Sequence, residues 1–237
     1  MKFVNLFSRR RDNVRYRTAG NLCQGLQAGF SVMELLLVVV IVLIAAAVAI
    51  PSVLTALRMG HLRGAASDYA GLLEEARSYA VRDNRYYSTY ILSAATGSSV
   101  SNVYVDMLPK VLTGASGNGG TSVATGDPVI TIPSEVVVIA SGSAPNTNNL
   151  KALLLPSTTP VTPTDTSATA ATFGPRGLPC TPDSAMTGGT VCDSSGGPTA
   201  YWTFLKNTQS NTWEAVTITP AGRIEKWLYT GSAWQKL

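Results

Sequence analysis

Sixteen consecutive apolar residues, Leu35 to Ile50, follow a single glutamate, Glu34. Counted from Phe30 the run is 21 residues long, broken only by Ser31 and Glu34. At ~1.5 Å per residue a helix of that length spans about 32 Å, enough for the hydrocarbon core of a bilayer. Lys2, Arg9, Arg10, Arg11, Arg15 and Arg17 precede it, opposed only by Asp12. Basic flanks stay on the cytoplasmic side, so the expectation is one span with the N-terminus inside and the C-terminal body outside. Beyond residue 29 the chain carries 12 cations against 13 carboxylates. The sequence pI of about 9.0 therefore reflects the leader and does not argue for nucleic-acid binding by the body.

A basic stretch, an apolar stretch and the small-residue sites Ala45-Ala46-Ala47 and Ala47-Val48-Ala49 also suit an ordinary secretory signal peptide. The helical pattern does not stop there, however. After Pro51, Leu62, Ala65, Tyr69, Leu72, Ala76 and Tyr79 recur at spacings of three and four, backed by Ala66, Leu73 and Ala80. Asp68, Glu74, Glu75, Arg77 and Arg82 occupy the rest of the helix surface. The anchor is therefore expected to run on as one spine ending near Asp83-Asn84.

The segment GFSVMELLLVVVIVLIAAAVAIP, residues 29–51, resembles the N-terminal motif of type IV prepilins and type II secretion pseudopilins. It has a glycine, an aromatic residue, a glutamate at the fifth mature position, an unbroken apolar run and a proline. The resemblance implies cleavage between Gly29 and Phe30 by a membrane aspartyl protease, which then methylates the amino group of Phe30. It implies that the segment after Pro51 unwinds when subunits pack into a filament, with residues 51–60 the extensible part. Gly60 and Gly64 lie in or beside that part and each costs about 1 kcal/mol relative to alanine in a helix. The partners implied are other pilins or pseudopilins, the peptidase and methyltransferase, and an inner-membrane assembly platform.

A carboxylate deep in hydrocarbon costs about 2.5–3.5 kcal/mol on insertion scales, so Glu34 calls for a partner. Cleavage would create an ammonium on Phe30. Two helices offset by about one turn would set the Glu34 carboxylate of one against the Phe30 ammonium of the next, fixing axial register. The plainer alternative is a glutamate at the cytoplasmic interface that reaches back to water.

The body reads as β-rich. Candidate strands fall at 86–92, 100–107, 129–133, 135–140, 150–155, 201–206, 213–219 and 224–229, with Pro220-Ala221-Gly222 as a hairpin turn between the last two. LTGASGNGGTSVATGD and PSTTPVTPTDTSATAAT read as long exposed loops. In YWTFLKN, Trp202, Phe204 and Lys206 alternate with Tyr201, Thr203 and Leu205. Cys180 and Cys192 bracket a short loop, and with Cys23 lost in the leader they fit one disulfide in an oxidising compartment. A zinc site is the other reading, but no histidine nearby completes four ligands.

The expected fold is α+β: a long N-terminal helical spine packed on a C-terminal antiparallel β-sheet domain, pilin-like. Residues 1–29 form the removed leader, 30–50 the transmembrane helix, 51–84 its amphipathic continuation and 85–237 the periplasmic or extracellular body. YAGLLEEARSYAVRDN, ATFGPRGLP and VTITPAGRIEKW resemble the H-type minor pseudopilin of type II secretion and its FimT relatives in type IV pili. Some FimT relatives bind DNA through a Gly-Arg-x-Arg stretch. Here Gly222-Arg223-Ile224-Glu225 keeps the first half and reverses the charge of the second, leaving Arg223 and Lys226 as weak DNA-binding candidates. No nucleophile motif, phosphate-binding loop or dinucleotide fingerprint occurs, and no cofactor or metal is implied. His61, the single histidine, reads as a surface residue of the helix. The expectation is a non-enzymatic subunit of a secretion pseudopilus or a pilus. A DNA- or surface-binding minor pilin is the alternative.

Overall fold

In the computed structural model the residues described are 31–92, 101–107, 123–155, 161–167, 169–181, 192 and 197–237. The Gly29–Phe30 junction, the leader with Cys23, most of the Gly/Ser-rich stretch and the loop between the two cysteines lie outside them. One helix, α1 (Val32–Arg82), contains both the apolar run and the amphipathic stripe. Among the described residues eleven strands follow: β1 (Tyr87–Leu92), β2 (Ser101–Asp106), β3 (Val129–Ile132), β4 (Val136–Ile139), β5 (Thr164–Asp165), β6 (Ala171–Phe173), β7 (Pro179–Cys180), β8 (Tyr201–Asn207), β9 (Thr212–Ile218), β10 (Ile224–Tyr229) and β11 (Trp234–Lys236). A 3₁₀ turn, Ser141–Ser143, and a second helix, α2 (Thr147–Leu154), lie between β4 and β5.

Two compact units are distinguished, Met1–Val48 and Ala49–Leu237. In the first, the described part is the apolar stretch of α1, which has no buried residue. Its hydropathy makes it long and apolar enough to cross a membrane.

In the second unit, α1 buries the face that its periodicity marks. Leu62, Ala65, Ala66, Tyr69, Leu72, Leu73, Ala76 and Ala80 are all at most 3% exposed, and Tyr79 packs partly buried beside them. The small residues let the helix lie close to the strands, and Tyr69, Leu62, Leu72 and Leu73 fill the space between. The helix ends where Asn84 adopts φ +52. Arg85 N–H then reaches Ala80 O at 3.1 Å and Asn84 N–H reaches Val81 O at 3.4 Å. This is a Schellman closure with asparagine in the left-handed position.

The strands form two sheets, β3-β2-β1-β6-β7 and β11-β10-β9-β8-β4. Both contribute to the core beneath α1. Val103, Val105, Phe173 and Ile132 come from the first sheet, and Tyr201, Leu205, Val216, Ile218 and Val136 from the second. The alternation in β8 falls as its sequence indicates. Tyr201, Thr203 and Leu205 face the helix side, while Trp202 and Phe204 join Ala215, Trp227, Trp234 and Leu150 in a second cluster on the opposite face. The pairing is antiparallel except where β5 runs parallel to β8, Thr164 opposite Tyr201. β4 and β5 share one edge of β8, taking Phe204–Asn207 and Tyr201–Trp202 respectively.

Two expectations are corrected. Residues 150–155 are not a strand, because Leu150 and Leu154 are buried one turn apart and Leu153 is half exposed, a helical pattern that makes this segment α2. The Thr/Pro-rich stretch, where described, is not an exposed loop. It supplies β5 and most of β6, and Val161, Thr166, Ala171 and Thr172 are buried. Its two buried threonine hydroxyls among the described residues are satisfied internally: Thr172 pairs with Ser88 at 2.8 Å, and Thr166 pairs with Thr203.

Candidate assembly and binding sites

Glu34 lies in the first turn of α1, exposed along with the apolar residues that follow it. Ser31 caps that turn, its hydroxyl accepting from Met33 N–H at 3.3 Å. The partner expected for Glu34, the amino group of a processed Phe30, falls outside the described residues.

Pro51 sits inside α1 without interrupting it. A proline removes one backbone donor and crowds the preceding turn. Around it, Ser52 Oγ donates to Ala49 O at 2.8 Å and Thr55 Oγ1 donates to Pro51 O at 3.0 Å. Neither hydroxyl reaches the carbonyl of Ala47, which the missing Pro51 N–H would have bonded, and such back-bonding bends helices. No residue of α1 before Leu62 is buried, so the turns around Pro51 rest on their own backbone bonds.

The polar ties between α1 and the second sheet begin at Arg58, whose carbonyl accepts from Asn207 Nδ2 at 3.2 Å. His61 Nδ1 meets the Glu135 carboxylate at the start of β4. His61 is exposed, as expected, but it is tied to the body. Arg63 Nε stands 3.7 Å from Glu214 Oε1, and Lys226 Nζ donates to Ser67 Oγ at 2.9 Å. Deeper in, Thr203 Oγ1 donates to Tyr69 Oη at 3.0 Å, and burial raises the Tyr69 phenol above its ordinary value.

Glu214 is the residue that sequence reasoning missed. It is 0% exposed, and burial pushes its carboxyl up to about 7 against the opposing pull of Arg63 and Lys226. The signal was present: Glu214 alternates with Val216 and Ile218, the core-facing residues of β9.

Three sequence patches far apart in the chain meet at the other end of α1. Arg77 Nε donates to Gly177 O at 3.1 Å. Gly177 (φ +70) and Gly222 (φ +78) both use backbone conformations that favour glycine. A Cβ on Gly222 would lie 2.6 Å from Gly177 O and 3.6 Å from the Arg77 guanidinium carbon. Arg77 thus clamps the 174–177 turn, which in turn bears on the β9–β10 hairpin turn.

Arg223 and Lys226, the two weak DNA-binding candidates, line a groove of about 340 Å³ with Glu74, Glu225 and Lys236. Glu225 Oε1 takes Arg223 Nη2 at 3.1 Å and Lys236 Nζ at 2.6 Å. Lys226 is engaged with Ser67. A phosphate approaching here must compete with a carboxylate already holding two of the three cations. Cys180 and Cys192 form the expected disulfide, with Cα atoms 5.6 Å apart. Tyr201 Oη donates to Cys180 O, fastening the first sheet to the second. Among the described residues no cluster of three or more His, Cys, Asp or Glu side chains is placed to hold a metal ion.

No protein-family model matches the sequence, and no curated protein matches it. Among solved structures the chain is similar to the type IV minor pilin FimU of Pseudomonas aeruginosa, strain PAO1. The identity is 15%, the TM-score is 0.40, and the alignment covers 75% of this chain and 94% of that one.

Proposed function

We propose that this chain is a minor pilin or pseudopilin, a processed structural subunit of a type IV pilus or a type II secretion pseudopilus. Before processing it is anchored in the bacterial inner membrane, with its N-terminus in the cytoplasm and its body in the periplasm. The observation that carries the reading is the Gly29-Phe30 junction with Glu34 four residues on, leading into a helix that continues past Pro51 and becomes the body's main packing element. A signal-peptidase cut near Ala47 or Ala49 would fall within that helix, which favours processing at Gly29 instead. Cleavage there converts an anchor into a helix bearing an ammonium and a carboxylate one turn apart. Such helices associate with neighbouring copies by pairing those charges in register. The subunit works as a substrate of the peptidase and methyltransferase and as a partner of other pilins and of the assembly platform.

The alternative, a DNA- or surface-binding tip subunit, rests on Arg223 and Lys226. The ion pairs of Glu225 weigh against it. N-terminal sequencing with intact-mass measurement of the mature protein tests the main reading. A methylated Phe30 start is expected, and a start near Pro51 overturns it. DNA retardation across a salt series tests the alternative, because phosphate contacts must weaken as salt rises.

A further inference from the structure

The seam between α1 and the second sheet contains one group that is costly there in its charged form. Both carboxylate oxygens of Glu214 lack a hydrogen-bond partner, and the side chain is 1% exposed. Its nearest cation, Arg63, stands at 3.7 Å and is itself about half exposed to water. Across the sheet, β8 places apolar Leu205 opposite Glu214, and β10 places Leu228. The charged groups acting on the carboxylate are Arg63 from α1 and Lys226 from β10. Lys226 is already committed to Ser67. An ionised carboxylate in this position costs far more than a neutral one, which also lacks a partner but carries no charge to desolvate.

The location gives this chemistry a mechanical consequence. Leu62 is the first buried residue of α1, so the N-terminal end of the docked helix rests on Leu62, Ala65 and Ala66 and on the polar ties at Arg58, His61, Arg63 and Ser67. We infer that Glu214 is a proton-operated latch on α1: with the carboxyl protonated, residues 58–67 stay seated on the second sheet, and with it ionised the seat loosens. This goes beyond the assembly reading and does not depend on it.

The sign follows from linkage. Glu214 titrates at about 7 when the seam is closed and near the ordinary 4.5 when water reaches it. Between those values the closed form holds a proton that the open form has released. Closure is therefore favoured at low pH, weakens as pH rises, and levels off above about 7. Opening should be on the order of 10²-fold more frequent at pH 8 than at pH 5. The seam's other pair of ionisable side chains is His61 with Glu135, so the test includes a variant of each pair.

The experiment is amide hydrogen exchange of the full chain in lipid nanodiscs over a pH series from pH 5 to pH 8, expressed as protection factors for residues 58–67. In the wild type, protection should fall by up to about 10²-fold at the higher pH. Glu214→Gln should hold protection high at both ends, while His61→Gln should keep the wild-type response. In Arg63→Met the midpoint should move to higher pH, because the cation favouring the ionised form is gone. That measurement stands even where Glu214→Gln folds poorly. A wild-type change below about threefold overturns the latch. So does a pH response that survives in Glu214→Gln, one abolished by His61→Gln, or an unmoved midpoint in Arg63→Met.

Discussion

Replacing Gly222 with alanine separates two costs that glycine turns often confound. Gly222 and Gly231 both sit at positive φ, +78 and +93, and both follow strands of the second sheet or the turns between them. A Cβ on Gly231 meets nothing within 4 Å, so Gly231→Ala carries the conformational penalty alone. That penalty is about 1–2 kcal/mol for an L-residue in the left-handed region, partly offset by the reduced freedom of the unfolded chain. A Cβ on Gly222 meets Gly177 O at 2.6 Å, and that neighbour is backbone, not the far end of a flexible side chain. Relief requires the two turns to part, which loosens the Arg77–Gly177 bond. Overpacking of this kind adds about 1–3 kcal/mol, for a total of roughly 2–4. Urea unfolding of the full chain in mild detergent, followed by tryptophan fluorescence, reads the effect, since all four tryptophans lie in the strands of the second sheet. Gly222→Ala should lose at least 1 kcal/mol more than Gly231→Ala. Equal losses would refute the contact between the turns as the reason for glycine at 222.

Three further outcomes are expected. Glu34→Ala should insert into the membrane normally but fail to appear in sheared filament fractions, and normal incorporation would remove the charge-pair account. Reducing the Cys180–Cys192 bond, or replacing both cysteines with serine, should cost about 3 kcal/mol on the loop-entropy estimate, read as a lower urea midpoint. Ala66→Leu, at a residue 0% exposed in the main core, should cost about 1–3 kcal/mol, while Ser78→Ala on the exposed face should stay within about 0.5 kcal/mol.

How far the sequence could be read depended on whether each residue's neighbours were local. The stripe from Leu62 to Ala80 announces itself because one helix face meets one continuous core, and period alone reports that. β8, β9 and β10 were legible for the same reason, each alternating between two apolar layers. The Thr/Pro-rich stretch misled because its order comes from distant partners. β5 exists only as an addition to β8, and β6 only between β1 and β7. Thr166 and Thr172 look like loop residues until their hydroxyls are seen paired with those of Thr203 and Ser88. α2 was lost because a run of leucines fits either period, and the choice rests on distant partners: Leu150 packs with Trp202 and its neighbours, and Leu154 with Val161 and Ala200. Glu214 was hidden by the habit of treating a charged residue in a strand as solvent-facing.

The divided edge of β8 has a consequence for how copies of this chain can meet. β4 and β5 lie along it in opposite directions, four residues and two residues long, so that margin presents no continuous run of free peptide groups. At the far margin β11 is three residues long and carries Lys236. A sheet bounded this way is a poor template for strand addition between molecules. Copies of this chain brought close together are therefore poorly placed to zip through their second sheets into β-aggregates. On the proposed reading as a filament subunit, ordered contacts between copies would then fall to the helix.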